Sequence, residues 1–514
     1  MRKIFALLLT IGLSTSAFAL NWQMVGARSM GMGGAGVTTA RGNYAQYYNP
    51  ALLTVREEGN KANEFTAGLG FQGETSSAIF DVTKKLMDMS SQYKNLISHI
   101  NSGAIASPED LENFFTGITE INELLKNNTG ALLNADVEFG IRFGHLGVSI
   151  NSLGSVAASP AIDQKDILLN DGTGLTFGTN TTTVYTSLTT DLMTAIQNAN
   201  IATDLQTVLG ITGTYTEKQL ADIMINTFLD NGYSYAQVKN AVEVMGSNMG
   251  SVAEFIQGVT PGNGIYSDNK TRVMAEMAAF SEAAVGYGFD IFHGVSLGAN
   301  LKVIEGTTAQ TGVFVLEEDA GFGGIIKDAW GNKKFSTNLG VDFGALVNFS
   351  DLFQGEVLFN PVIGFTAKNI NSPKFKRPET PSGWALSWNS EDYKLKPQYR
   401  IGASVNPWKR VTIAVDLDLS KNETTLQDYK SQQLSAGVEI LTANDIFFKL
   451  PVRFGVNKNL AESNAPMYLT AGFATIGRDV TFELAAAVGT GTEKVKGNNI
   501  PNAMALSMSF TTFF

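Results

Sequence analysis

Alternation with a period of two residues, repeated in segment after segment, is the feature that most constrains this chain. Near its end, Met504, Leu506, Met508 and Phe510 share one side, while Ala503, Ala505, Ser507, Ser509 and Thr511 share the other. Successive side chains of a β-strand point to opposite faces, so such a segment is a strand with one apolar and one small or polar face. The pattern recurs upstream. Val411, Ile413, Val415 and Leu417 oppose Thr412, Ala414, Asp416 and Asp418, and Val480, Phe482, Leu484 and Val488 oppose Thr481, Glu483 and Gly489. Leu339, Val341, Phe343 and Val347 oppose Asn338, Gly340, Asp342 and Asn348, and Val137, Phe139, Ile141 and Phe143 oppose Asp136, Glu138, Gly140 and Arg142.

A water-soluble sandwich alternates too, so the period alone does not choose between sandwich and barrel. Three features favour a membrane barrel. Many segments reach the 9–11 residues of a tilted membrane strand. No charge interrupts their apolar faces, and the opposite faces mix glycine and small residues with charges, as a crowded lumen would. Fourteen segments qualify, near 64–72, 134–143, 145–155, 277–291, 294–305, 334–349, 355–369, 396–406, 409–420, 431–441, 446–456, 466–477, 479–489 and 502–514. Their connections are alternately short and long, matching short periplasmic turns and long extracellular loops, with both ends on the periplasmic side. The expected fold is an all-β transmembrane, antiparallel outer-membrane barrel of about fourteen strands.

Composition agrees. Hydrophobic residues are 44% of the chain, yet mean hydropathy is only +0.02 and no segment after the N-terminus offers 18 consecutive apolar residues. That excludes a bundle of membrane helices. A formal charge of -11 and a pI near 5.0 argue against a nucleic-acid partner. With no cysteine and three histidines, disulfides, thiol chemistry and Cys-based metal centres are excluded. No catalytic residue, metal or cofactor is expected.

Residues 1–19 read as a secretory signal, with Arg2 and Lys3 ahead of an apolar stretch from Ile4 to Leu13 and a small-residue cleavage site at Ala17-Phe18-Ala19. Residues 20–60 are expected to form an N-terminal hatch or plug, and 61–514 the barrel. Helical extracellular insertions fall at about 73–130 and 157–275. In the first, Ser107-Pro108-Glu109-Asp110 is a helix start, followed by a 3.6-residue stripe of Leu111, Phe114, Phe115, Ile118, Ile121, Leu124 and Leu125. In the second, Thr216 with Gln219 and Ser234 with Gln237 read as capping boxes, with a stop at Asn231-Gly232. These stripes are expected to pack on one another as a cap over the barrel mouth.

Two motifs mimic enzyme signatures. Gly31 to Gly36 satisfies G-x-G-x-x-G, but no strand precedes it and no helix pattern follows. Gly294-Val295-Ser296-Leu297-Gly298 satisfies G-x-S-x-G, but the alternation runs on through Ala299, Leu301 and Val303, so the required strand-to-helix turn is missing.

The stretch Gly26-Ala27-Arg28-Ser29-Met30-Gly31-Met32-Gly33-Gly34-Ala35-Gly36, followed by Asn49-Pro50-Ala51, resembles the hatch of FadL-type outer-membrane transporters of hydrophobic compounds. Gly364 to Ile370, Pro397 to Gly402 and Asp416 to Gly437 resemble the related TraF-like outer-membrane proteins, named for conjugal transfer. The resemblance implies a Gram-negative outer-membrane location, passive uptake of small hydrophobic molecules such as long-chain fatty acids, and a gate at Gly31, Gly33, Gly34, Gly36, Asn49, Pro50 and Ala51. Arg28 and Arg41 are candidates to pair with the lumen carboxylates Asp342, Asp416, Asp418 or Glu439. Phe510 and Phe514 are similar to the terminal aromatic signal that barrel-assembly machinery reads. Implied partners are outer-membrane lipid, a hydrophobic ligand and the assembly machinery. An alternative is a TraF-like component contacting transfer-apparatus proteins, with the insertions as its working surface. A third reading, an open porin, predicts steady conductance.

Overall fold

The computed structural model describes residues 22–55, 63–76, 93–126, 130–163, 165–169, 175–257, 264–314, 331–379, 392–426, 429–444, 448–495 and 498–514. The expected signal at 1–19 lies outside them. Fourteen strands close into one barrel. They are β1 Asn63–Ser76, β2 Gly130–Phe143, β3 Leu146–Ala161, β4 Arg272–Phe292, β5 Val295–Phe314, β6 Lys334–Asn348, β7 Val362–Lys368, β8 Gln398–Trp408, β9 Val411–Asp418, β10 Gln433–Asn444, β11 Phe448–Asn459, β12 Met467–Gly477, β13 Val480–Gly489 and β14 Ala503–Phe513. Neighbours pair antiparallel in chain order. β14 closes the ring on β1, in a register that sets Glu64 opposite Phe513 and Glu74 opposite Ala503. Closure leaves no strand edge, which is what a sheet in lipid requires.

Burial decides between barrel and sandwich. Arg272, Arg400, Arg453 and Lys302 are among the most deeply buried side chains, while Phe139, Ile150, Leu301, Phe454 and Met504 are exposed on the strands. A sandwich would show the reverse. Charged side chains inside and a continuous apolar face outside suit a barrel whose solvent is lipid. Among the described residues no helix is long and apolar enough to cross a membrane.

One strand begins later than the alternation suggests. Of the expected 355–369 segment, only Val362–Lys368 is strand. Before it come a single helical turn at Phe349–Leu352 and a loop in which Gln354, Phe359 and Asn360 have positive φ. Pro361 has no N–H for a ladder, and its carbonyl instead accepts from Phe349 N at 3.1 Å. The wall is also uneven. β4 and β5 run 21 and 20 residues, against 7 for β7 and 8 for β9.

The long connections carry helices α1 Lys94–Ser102, α2 Pro108–Lys126, α3 Thr186–Ala199, α4 Ala202–Leu209, α5 Glu217–Asp230 and α6 Tyr235–Gln257. At the start of α2 the Ser107 hydroxyl accepts from Asp110 N at 3.1 Å, and the Asp110 carboxylate accepts from Ser107 N at 2.8 Å. Thr216 and Gln219 form their reciprocal box, and Gln237 accepts from Ser234 N at 3.0 Å. α1, α3 and α4 escape sequence reading because Tyr93, Tyr185 and Ile201 at their N-caps offer no side-chain cap bond. The helices share one core. Leu111, Phe114, Phe115, Ile118 and Ile121 pack with Leu192, Ile196, Leu205, Phe228, Met245 and Met249. Leu124 and Leu125 lie outside the described side chains. A core of this kind gives the helical region its own cohesion beside the barrel.

Candidate functional site

The bore is occupied. Of residues 22–55, all but Arg28, Arg41, Thr54 and Val55 are buried. Gly33 and Gly34 have φ of 70° and 92°, a region that L side chains rarely adopt, so the glycine run makes a bend other residues would strain. The bend is bonded to the wall. Gly33 N donates to Thr470 Oγ1 at 3.0 Å, Thr470 Oγ1 donates to Gly31 O at 3.0 Å, and Asn457 Nδ2 donates to Gly33 O at 3.0 Å. The N–H groups of Gly36 and Val37 both donate to Asp416 Oδ2, at 2.7 and 2.9 Å.

Asn49 ties together three pieces of chain. Its Oδ1 accepts from Ala51 N at 3.0 Å, capping the 3-10 turn Pro50–Thr54, while its Nδ2 donates to Val37 O at 3.1 Å and to Ala345 O on β6 at 3.0 Å. The turn ends where Arg142 Nη2 donates to the carbonyls of Leu53 and Val55, at 2.9 and 2.8 Å.

The wall is shaped for this segment by glycines on its inner face. Gly298 and Gly344 are cross-strand partners, as are Gly437 and Gly455. A Cβ at Gly344 would lie 2.0 Å from Asn49 Oδ1, and one at Gly298 would lie 2.2 Å from the Pro50 carbonyl carbon. Across the bore, a Cβ at Gly455 would lie 2.3 Å from Gly33 N, and one at Gly437 2.4 Å from Met32 O. Sequence reading missed these residues, although the signal existed: glycine recurs at the mid-strand lumen position of several strands.

The expected pairing residues are distributed as follows. Arg28 Nη2 lies 2.7 Å from Glu439 Oε1, whose other oxygen takes Arg453 Nε at 2.6 Å, and Arg453 also reaches Glu483 at 2.8 Å. Arg41 Nη1 donates to Ala40 O at 3.0 Å. Asp416 meets the segment through backbone N–H groups, as described. Asp418 takes Arg400 Nε at 2.5 Å, and Asp342 takes Lys302 at 3.0 Å, so both have cationic partners on the wall. Asp342 also accepts from Asn300 Nδ2, which donates in turn to Gln46 O. Phe510 points outward and stands opposite Ala67 and Phe482, while Phe514 packs edge-on to Phe143 at 6.2 Å.

Ser296 of the G-x-S-x-G motif sits within β5, donating to Asp290 Oδ1 at 2.6 Å and accepting from Thr54 Oγ1 at 3.0 Å. Its strand continues unbroken, so the motif has no nucleophile-elbow geometry. The Gly31–Gly36 run lies against the barrel wall rather than between a strand and a helix.

The segment separates two spaces. At the short-turn end is a basin of about 2140 Å³, walled by Thr38, Thr39, Arg41, Thr54, Phe359 and Trp408 among others. At the helical end is a cleft of about 30 Å³, lined by Tyr47, Leu153, Glu282, Lys368, Asn369, Lys394, Leu395, Lys396, Gln398, Asn422 and Glu423. Next to that cleft the lumen is apolar, where Phe280 and Ile304 pack on Phe375, Tyr393 and Leu395.

Among solved structures, the chain is similar to the Ralstonia pickettii toluene transporter TbuX, with 10% identity and a TM-score of 0.41, covering 98% of this chain and 100% of that one. It is also similar to the Pseudomonas putida toluene transporter TodX, with 12% identity and a TM-score of 0.41, covering 97% and 100%. A Pseudomonas aeruginosa FadL homologue is similar at 7% identity and a TM-score of 0.38, covering 97% and 99%. No curated protein sequence matches. The family model described as "F plasmid transfer operon, TraF, protein" matches residues 46–418, from within the inner segment through nine of the fourteen strands, and the chain belongs to that family.

Proposed function

We propose that this protein is an outer-membrane channel for passive inward movement of small hydrophobic molecules, long-chain fatty acids or similar compounds. One observation carries the reading. A closed barrel holds an inner segment attached by discrete polar contacts, such as Asp416 to Gly36 and Val37 and Arg28 to Glu439. The helix-end lumen beside it is apolar, around Phe280, Phe375 and Leu395. A porin lumen would be polar and open. Residues 20–60 then act as the plug, with Gly31–Gly36 and Asn49-Pro50-Ala51 as its gating parts. The helical end faces outward and the basin faces the periplasm. Ligand enters at the helical end, partitions into apolar lumen, and leaves through the basin when the plug shifts. Phe510 and Phe514 serve barrel assembly.

The test is uptake. A deletion strain should take up radiolabelled oleate and toluene more slowly than its parent, and equal rates overturn the reading. The purified protein should also be nearly silent in planar bilayers, where steady ohmic conductance would indicate an open pore.

Family membership, together with a helical region that owns a core, supports a second reading as a transfer-apparatus component. Deleting residues 160–270 separates the two. Loss of partner capture with uptake intact favours the apparatus, and loss of uptake favours the channel.

A further inference from the structure

Several lumen carboxylates are answered by a cation on the wall. Glu282 and Asp342 share Lys302, Asp418 takes Arg400, and Glu439 and Glu483 share Arg453. Asp136 and Glu138 on β2 differ. They are 6% and 1% exposed, and neither oxygen of Glu138 has a hydrogen-bond partner. Lys368 acts on Glu138 only through space, and no cation offsets the burial of Asp136.

The two carboxylates are neighbours on the lumen face, two residues and about 7 Å apart along the strand. β1 sets Gly70 and Gly68 opposite them, and Asn151 of β3 stands opposite Glu138. A Cβ at Gly70 would lie 2.4 Å from Asp136 Oδ1, and one at Gly68 would lie 2.0 Å from the Tyr44 hydroxyl of the inner segment. Asn43 of the segment covers Gly140, the lumen position after Glu138, where a Cβ would lie 2.6 Å from its Cγ. The amide oxygens of Asn43 and Asn151, in side chains 0% and 4% exposed, have no hydrogen-bond partner. Neither does either amide atom of Asn134, the lumen position before Asp136. Unmet oxygens from the wall and from the segment thus surround two buried like charges.

Buried acceptors are ordinarily satisfied, and a buried carboxylate without a partner is costlier still. We propose that Asp136 and Glu138 bind a calcium ion, with the amide oxygens of Asn151 and Asn43 completing its shell, and that the ion joins the inner segment to β2 and β3. An all-oxygen set selects a hard cation. One divalent ion neutralises both carboxylates, where sodium would leave one charge unmet. Magnesium holds on to its waters and demands octahedral geometry, whereas calcium accepts irregular shells of carboxylate and amide oxygens. Among the described residues no three acidic or imidazole side chains converge, so amides must supply the remaining ligands. The site goes beyond the channel reading and does not depend on what the barrel carries.

The experiment uses the full chain in mild detergent, stripped with EDTA and dialysed to equilibrium against terbium(III), whose emission Tyr44 sensitises at close range. Emission should appear on aromatic excitation and fall when calcium is added. Glu138→Gln and Asp136→Asn should each weaken binding about tenfold or more, since affinity follows the charge of the ligand set. Asp268→Asn, in the exposed acidic group with Asp163 and Asp166, should change nothing. Urea unfolding gives a second readout with opposite signs. Calcium should raise the wild-type midpoint and leave that of Glu138→Gln where it was, because an ion that binds only the folded state stabilises it. In EDTA, Glu138→Gln should be the more stable of the two, having lost an unmet buried charge. Emission that follows Asp268 instead of Glu138 places the ion on the surface and overturns the site. So does a wild-type midpoint that ignores calcium, whether it is flat or rises as pH falls, the latter assigning protons to the two carboxylates.

Discussion

Arg28 and Glu439 stand 411 residues apart in the chain and meet at 2.7 Å inside the barrel, joining the inner segment to β10. Glu439 keeps a second guanidinium, Arg453, at 2.6 Å. Removing Arg28 therefore leaves the Glu439–Arg453 pair on the wall intact and takes away the ion pair that joins the segment to Glu439. Arg28→Ala should cost docking of the segment about 1–3 kcal/mol, the worth of a hydrogen bond to a charged group. Single-channel recording should show openings in the variant that are rare in the wild type, with unchanged heat-modifiable migration on gels.

Glu439→Gln should behave differently. It strips the carboxylate from two guanidinium groups at once, and Arg453 is fully buried. Breaking a buried pair by removing one partner costs about 3–5 kcal/mol. Urea unfolding of the barrel in detergent should shift to lower concentration, as it should not for Arg28→Ala.

Gly344→Ala and Gly455→Ala should expel the inner segment. Their added Cβ atoms would sit 2.0 Å from Asn49 Oδ1 and 2.3 Å from Gly33 N, closer than real contacts allow. The exposed Gly250 within α6 meets nothing within 4 Å, so Gly250→Ala should stabilise the helical region by about 0.5–1 kcal/mol. Protease cleavage within residues 22–55 should rise for the first two and stay unchanged for the third.

Phe114→Ala should unfold the helical region without opening the barrel. The ring is fully buried, 5.9 Å from Phe115 and 5.5 Å from Tyr266, and its loss should cost about 3–5 kcal/mol. The circular dichroism melt at the helical wavelength should fall in temperature while the β-signal melt stays where it was.

The helical side should also respond to pH. Burial and the neighbouring Asp163 hold the Asp166 carboxyl above its ordinary value of 3.8. The folded state thus binds this proton more tightly than the unfolded state. Its contribution is full below the unfolded value and is lost as pH rises through the folded one. Asp166→Asn should therefore gain in relative Tm as pH climbs past 3.8. A difference that stays constant with pH would show that the group does not titrate as described.

Much of the barrel was legible in the sequence because strand periodicity is a local property. Met504 to Phe510 announce a lipid-facing row without reference to any other residue. The helix start at Ser107-Pro108 and the box at Thr216 and Gln219 were readable for the same reason, since caps act within four residues. α3 and α4 were not, because their N-caps make no side-chain bond. The late start of β7 also escaped, since Val357, Leu358 and Phe359 are apolar as a strand would be while the backbone turns at Phe359 and Asn360.

The sequence by itself therefore determined the alternating faces, the number of strands and the presence of helical insertions, all set by chemistry between near neighbours. Only the tertiary structure decided which charges pair. Asp342 and Asp418 face Lys302 and Arg400 across adjacent strands, while Glu439 reaches Arg28. It also decided that wall glycines make room for Asn49 and Gly33, and that the Lys368 ammonium lies over the Tyr47 and Trp22 rings. Those outcomes depend on strand register and on where residues 22–55 lie in the bore. Closing the ring brings together groups hundreds of residues apart, and no local pattern encodes that distance.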